Sequence, residues 1–307
     1  MPEASHAATR GADAYRESLV QLGAEGHLVG SLVQPTGPAA SVGVLFVNAG
    51  VIHRIGPHRI HVKLGRALAQ DGAPSLRLDL TGLGDSGRVG GTDGMLAQVR
   101  RDIRAALDLL AESTGLSRFV IIGICSGAEY GYQYGLDDER VAGLVMVDGY
   151  SFGNRRTRML RYLLRLRTLT WPVLKNAVLG RLARLRAGGG QPETPVDYGL
   201  PVLTVTDFGE GLAERARRGC PCYLVFTGSV LQRYNHASQF DDVMRAAPLS
   251  AEDRSAIARD VQSVFLPDID HTMTTLHGQR VYTRHVATHP RADHLQLPPP
   301  GSAGLRG

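Results

Sequence analysis

Lysine is almost missing from this 307-residue chain, since of its 34 basic side chains only Lys63 and Lys175 are lysine and the rest are arginine. Cysteine is scarce as well. Cys125, Cys220 and Cys222 are odd in number, and their spacing fits neither a disulfide framework nor a paired CxxC zinc site, so reduced thiols are expected. No apolar run approaches the roughly 18 residues that a membrane span needs. The N-terminal stretch MPEASHAATRGADAYR also has no apolar core of the secretory kind. A soluble, cytoplasmic protein without stable membrane insertion is the expectation. Acidic residues are missing from one segment in particular, residues 155 to 186, which hold ten basic side chains and no carboxylate. What is present is 43% apolar residues, enough for a large core in one α/β domain or two smaller ones.

Strand and helix patterns alternate along most of the chain. Residues 17 to 34 read as two short antiparallel strands joined near Glu25-Gly26. SVGVLFVNAG (41 to 50) is a continuous apolar run ending in Gly, the pattern of a strand buried on both faces. A helix fits 57 to 71, with Ile60, Val62, Leu64, Leu68 and Ala69 as its apolar stripe and Asp71-Gly72 as its stop. Then follow a strand at 74 to 80, a glycine-rich loop, an amphipathic helix from Met95 to Thr114 and a strand at 119 to 124. A short helix from Ser126 and a strand at 141 to 147 come next. The rhythm breaks at 151 to 219 and resumes with strands at 222 to 228 and 261 to 267 and a last helix near 275 to 287. Such alternation predicts a mostly parallel sheet with helices on both faces. The expected organisation is a core of residues 15–150 and 220–288, a basic helical cap at 151–219, and disordered ends at 1–14 and 289–307.

Within IIGICSGAEYG (121 to 131), a strand runs into Gly123-Ile124-Cys125-Ser126-Gly127 and then a helix. That arrangement is a nucleophile elbow, a turn so tight that its central residue takes a strained conformation and points outward. The central position is Cys125, so the thiol and not the Ser126 hydroxyl is the expected attacker, with the Ser126 N–H at the helix start facing the same spot.

With these residues the chain resembles the α/β-hydrolase fold family over roughly residues 17 to 287. Asn48-Ala49-Gly50-Val51 stands where the family carries a loop that supplies an oxyanion donor, which implies the Val51 N–H as partner to that of Ser126. Asp79-Leu80-Thr81-Gly82-Leu83-Gly84-Asp85-Ser86 is similar to the D-x-x-G-x-G-x-S loop of many members, read here as structural. FLPDIDHTMT places His271 where the family's general base follows the last strand. The family's acid usually comes just after the strand matched here by CYLVFTG, yet residues 228 to 235 contain no carboxylate. Some relatives take the acid from the end of the preceding sheet strand. Asp148 occupies that place, and it is preferred to Asp241.

Cysteine versions of the elbow occur in dienelactone hydrolases, polyhydroxyalkanoate synthases and Dieckmann-type cyclases. The resemblance therefore implies acyl-thioester or ester processing through an acyl-cysteine, by hydrolysis, transfer or cyclisation. No metal or organic cofactor is implied. The histidines at 53, 58 and 61 are too loosely spaced for zinc and are read as solvent-facing or pocket-lining. Asp268 and Asp270 are expected to hydrogen-bond their own loop. Cys220-Pro-Cys222 leads into a buried strand. In the basic segment, apolar residues recur at helical spacing with Trp171-Pro172 as a break, which predicts a cap whose arginines are either solvated or meet an acidic partner, the latter preferred: a carrier protein, a coenzyme A phosphate or an anionic membrane surface. Nucleic acid is not an expected partner, because no binding motif accompanies the charge. The competing reading is a non-catalytic protein of this fold that binds a ligand or partner, favoured by the missing acid after CYLVFTG.

Overall fold

The computed structural model describes residues 14–90, 93–168, 198–231 and 233–287, without the side chains of 164–168. The expected tails, the Trp171-Pro172 break and the second half of the basic segment lie outside the described residues.

Strands β1 (Tyr15–Leu22) and β2 (Leu28–Pro35) form an antiparallel hairpin at one edge. Its turn closes where the Gly26 N–H donates to the Gly23 carbonyl at 3.0 Å. β2 pairs antiparallel with β4 (Ser75–Leu78). From β4 onward all neighbours are parallel: β3 (Gly43–Val47), β5 (Phe119–Ile124), β6 (Val141–Val147), β7 (Cys222–Thr227) and β8 (Val261–Leu266). The eight-stranded sheet runs β1-β2-β4-β3-β5-β6-β7-β8.

Strand side chains alternate between two cores, as the two-residue period requires. On β5, Phe119 and Ile121 join the larger core, whereas Val120, Ile122 and Ile124 join the smaller one. Helices α1 (Ile60–Gln70) and α8 (Leu276–Ala287) cover the smaller core. All five stripe residues of α1 are buried. The helix stops where Gly72 takes a φ of 92°, at a place where a β-carbon would stand 2.8 Å from the Pro38 carbonyl oxygen. On the other face lie α2 (Met95–Thr114), α3 (Ser126–Tyr134) and α5 (Val205–Arg217), followed by α6 (Gln239–Ala246) and α7 (Ala251–Asp260).

α4 (Arg155–Thr168) is the described part of the basic segment. α5 falls inside the span expected for the cap, yet Phe208, Leu212 and Ala213 bury it in the larger core. A Thr204/Asp207 capping box starts it. It packs as a core helix, although it lies within the span 151–219 expected for the cap. The expected bounds followed the break in strand–helix rhythm, and that break does not tell a core helix that precedes β7 from an inserted one. No helix among the described residues is long and apolar enough to cross a membrane.

Candidate active site

The carboxyl ends of β3, β5, β6, β7 and β8 lie side by side, and each delivers one part of the site, as expected for an open α/β sheet. β5 ends at Ile124, which pairs with Val147 of β6, so Cys125 and Asp148 leave adjacent strands at the same level. The Cys125 N–H donates to the Val147 carbonyl at 2.7 Å.

Cys125 has φ 53° and ψ −123°, a conformation that costs a non-glycine residue about 1–3 kcal/mol. The elbow glycines are there because nothing larger fits. A β-carbon on Gly123 would stand 2.4 Å from the Gly127 carbonyl oxygen, and one on Gly127 would stand 2.4 Å from that of Val47.

His271 follows β8 on a loop held by Asp270, whose carboxylate accepts from the backbone and hydroxyl groups of Thr272 and Thr274. This matches the loop bonding expected of Asp270. The His271 N–H donates to Ser229 Oγ at 2.6 Å, which ties this loop to the end of β7. Its Nδ1 lies 2.7 Å from Asp148 Oδ2, and Cys125 stands near enough to the ring to favour its charged form. Since Nδ1 is taken by Asp148, Nε2 is the nitrogen left for the sulfur. The Asp148 carboxylate first and Cys125 second hold the His271 imidazolium up to about 10, against a smaller opposing pull from burial.

Asp148 has no exposed side-chain surface and also sits at positive φ, 50°. Thr227 at the end of β7 satisfies it, donating N–H to Oδ1 at 2.7 Å and Oγ1–H to Oδ2 at 2.6 Å. A buried carboxylate needs such partners. Asp241, the alternative acid, stands exposed in the first turn of α6 and makes no bond to His271. The acid missing after β7 is thus matched by one at the end of β6.

The Val51 and Ser126 N–H groups donate to no partner among the described residues. A further contact links them. The Ser126 hydroxyl is buried, and its Oγ accepts from the Gly50 N–H at 2.6 Å. It fastens the loop after β3 to the elbow. Sequence reasoning used only the backbone of Ser126 and missed Thr227 and Ser229. The available signal was a hydroxyl residue at each strand or loop end next to a strained or catalytic position.

The Asp79 loop is structural, as read from the sequence. Asp79 accepts from the Arg54 N–H at 2.5 Å and the Asp85 N–H at 3.1 Å, and Ser86 Oγ bridges the Asp79 carbonyl and the Val29 N–H. His53, Asp79 and Asp85 converge in the manner of a metal site. Arg54 Nη1 already stands among them, 2.8, 2.5 and 2.7 Å from the three ligand atoms, so a guanidinium supplies the cation. The histidine reading needs correction at His61, which neither faces solvent nor lines a pocket. It is fully buried against the Phe46 ring, with centroids 4.9 Å apart, and burial pushes its pKa down to about 3. His61 lies on the same face of α1 as Leu64, Gly65 and Leu68, and it is the helix's docking geometry that carries it inside. Cys220 and Cys222 are buried free thiols at the start of β7.

Solved structures share this architecture. An esterase of Pyrococcus furiosus superposes with a TM-score of 0.57 at 13% identity, over 96% of this chain and 95% of its own. The chain has the α/β-hydrolase fold. An α/β serine hydrolase without lid from Xanthomonas campestris gives 0.50 at 12% identity, over 88% and 93% of the two chains. A dienelactone hydrolase from Anabaena variabilis gives 0.50 at 14% identity, over 89% and 95%. No family model matches the chain, and no curated protein matches it.

Proposed function

We propose that this chain is a cysteine-dependent enzyme that processes an acyl thioester or ester through an acyl-cysteine intermediate. One observation carries the reading: Cys125 sits at a strained elbow within electrostatic reach of His271, whose Nδ1 lies 2.7 Å from the buried Asp148. The names of fold neighbours, an esterase and a dienelactone hydrolase, lend support.

The chemistry runs in two halves. Cys125 Sγ attacks the acyl carbon, and the carbonyl oxygen becomes an oxyanion that accepts from the Val51 and Ser126 N–H groups. The tetrahedral centre collapses, the bond to the leaving thiol or alcohol breaks, and His271 Nε2 delivers its proton to that group. An acceptor then gives a proton to His271 and attacks the acyl carbon, and Cys125 leaves as thiolate. Asp148 keeps the imidazole oriented throughout. Water as acceptor gives hydrolysis, an alcohol or amine gives transfer, and a carbon nucleophile within the acyl chain gives cyclisation. Thiolate is a good nucleophile and a good leaving group, which suits acceptors other than water.

The donor we favour is a biosynthetic acyl chain on an acidic carrier protein. Arg155, Arg156 and Arg158 are exposed on α4 and support such docking. Intact mass spectrometry after incubation with a panel of small and carrier-bound acyl thioesters tests the proposal. A stoichiometric adduct is expected that disappears in Cys125→Ala and slows strongly in His271→Ala. Replacing the three α4 arginines by Gln should slow acylation from the carrier-bound donor and spare the small one. A lasting adduct would indicate transfer or cyclisation, and a transient one with free acid would indicate hydrolysis. The absence of any adduct, together with sluggish alkylation of Cys125, would favour the non-catalytic binding protein.

A further inference from the structure

The acyl chemistry leaves unused a charged side chain beside Cys125 and a second one, in the loop after β7, whose charge reaches it. Glu129 stands one turn after Cys125 on α3, its N–H donating to the Cys125 carbonyl at 3.1 Å. Helical side chains lean toward the N-terminus, so the Glu129 side chain lies over the elbow turn. Its γ-carbon is 3.8 Å from the position a β-carbon would take on Gly149, the residue following Asp148. The carboxyl is therefore bracketed between the nucleophile's turn and the strand end that supplies the acid. It is half-buried, and no described residue hydrogen-bonds to it.

Arg233 provides the opposite charge. It sits in the loop after β7, with its N–H donating to the Val230 carbonyl at 2.7 Å and its carbonyl accepting from Gln239 Nε2 at 2.6 Å. The backbone is thus fixed while the exposed guanidinium has no bonded partner among the described residues. Arg233 and Glu129 feel each other's charge without forming an ion pair. Burial pushes the Glu129 carboxyl above its usual range, and the Arg233 charge pulls the other way. Tyr150 is near Glu129, its hydroxyl held by Gln133 Nε2 at 3.1 Å and the Pro201 carbonyl at 3.4 Å.

We infer that Glu129 and Arg233 form a polar recognition subsite that takes an oxygenated acyl chain, with a hydroxyl or keto oxygen close to the reacting carbonyl, in preference to a plain alkyl chain. Arg233 can only donate, and Glu129 can donate or accept according to its proton. A hydroxyl satisfies both, and a keto oxygen accepts from Arg233 and from the protonated acid. An alkyl chain would cover both groups and satisfy neither, which is unfavourable. The inference rests on the acyl-cysteine reading and narrows its substrate class.

The test is the rate of Cys125 acylation by N-acetylcysteamine thioesters of butyrate and of its α-hydroxy, β-hydroxy and β-keto derivatives, followed by intact mass. At least one oxygenated donor should react about tenfold faster than butyrate or more, as expected for a site that hydrogen-bonds its substrate. That ratio should collapse toward one in Glu129→Leu and in Arg233→Met and be partly kept in Glu129→Gln. Thermal unfolding identifies any misfolded variant, and Arg233, being exposed, serves if Glu129→Leu does not fold. Equal rates for all donors in the wild type, or a ratio unchanged in both variants, would overturn the subsite. No acylation by any donor would instead overturn the acyl-cysteine reading and the subsite with it.

Discussion

Ser126 stands directly after Cys125, the proposed nucleophile, with a hydroxyl of its own that by side-chain chemistry alone is a rival attacker. Its position decides otherwise, because the helix has already begun there and the hydroxyl turns inward to accept the Gly50 N–H at 2.6 Å. That bond fixes the peptide next to Val51, one of the two free donors. Ser126→Ala should therefore slow acylation of Cys125 by about tenfold to a hundredfold, somewhat less than the loss of a whole oxyanion donor. Alkylation by iodoacetamide, which builds no oxyanion, should change far less, and parallel loss of both rates would mean that Ser126 is only structural. The elbow with Cys125 at its tip was legible in the sequence because the pattern is local. The role of the Ser126 hydroxyl was not, since Gly50 is distant in the chain and meets it only when β3 and β5 pair.

Strand ends decide which carboxylate serves His271. β6 and β7 are parallel neighbours, so Asp148 leaves the sheet beside Thr227, and the threonine supplies two donors to a carboxylate that has no solvent. Asp148→Asn should lower acylation by about a hundredfold to ten-thousandfold, as for other histidine-orienting carboxylates, while Asp241→Asn leaves it near wild type. The reverse pattern in single-turnover rates would move the acid to α6. Strand and helix positions along the core were readable from hydrophobic period. α5 was not, because it lies inside the stretch where the strand–helix rhythm breaks, and only packing places Phe208 and Leu212 in the core.

For the whole molecule, the clearest electrostatic consequence concerns stability against pH. His271 binds its proton more tightly folded, at about 10, than unfolded, at about 6.5. Its contribution is therefore fully present below about 6.5 and is lost as pH rises from there through about 10. The gap in urea unfolding free energy between wild type and His271→Gln should shrink across that window. A gap that stayed constant across it would mean that His271 is neutral in the fold. By itself the sequence determined the alternating α/β pattern, the elbow and the thiol at its centre, because periodicity and tight turns are local and need no partner. Only the tertiary structure decided that Asp148 and not Asp241 meets His271, that Ser126 holds the loop after β3, that Arg54 stands where a metal could have been, and that His61 is interior. Each of these depends on residues brought together by strand order across the sheet, and strand order is set by the packing of the whole chain.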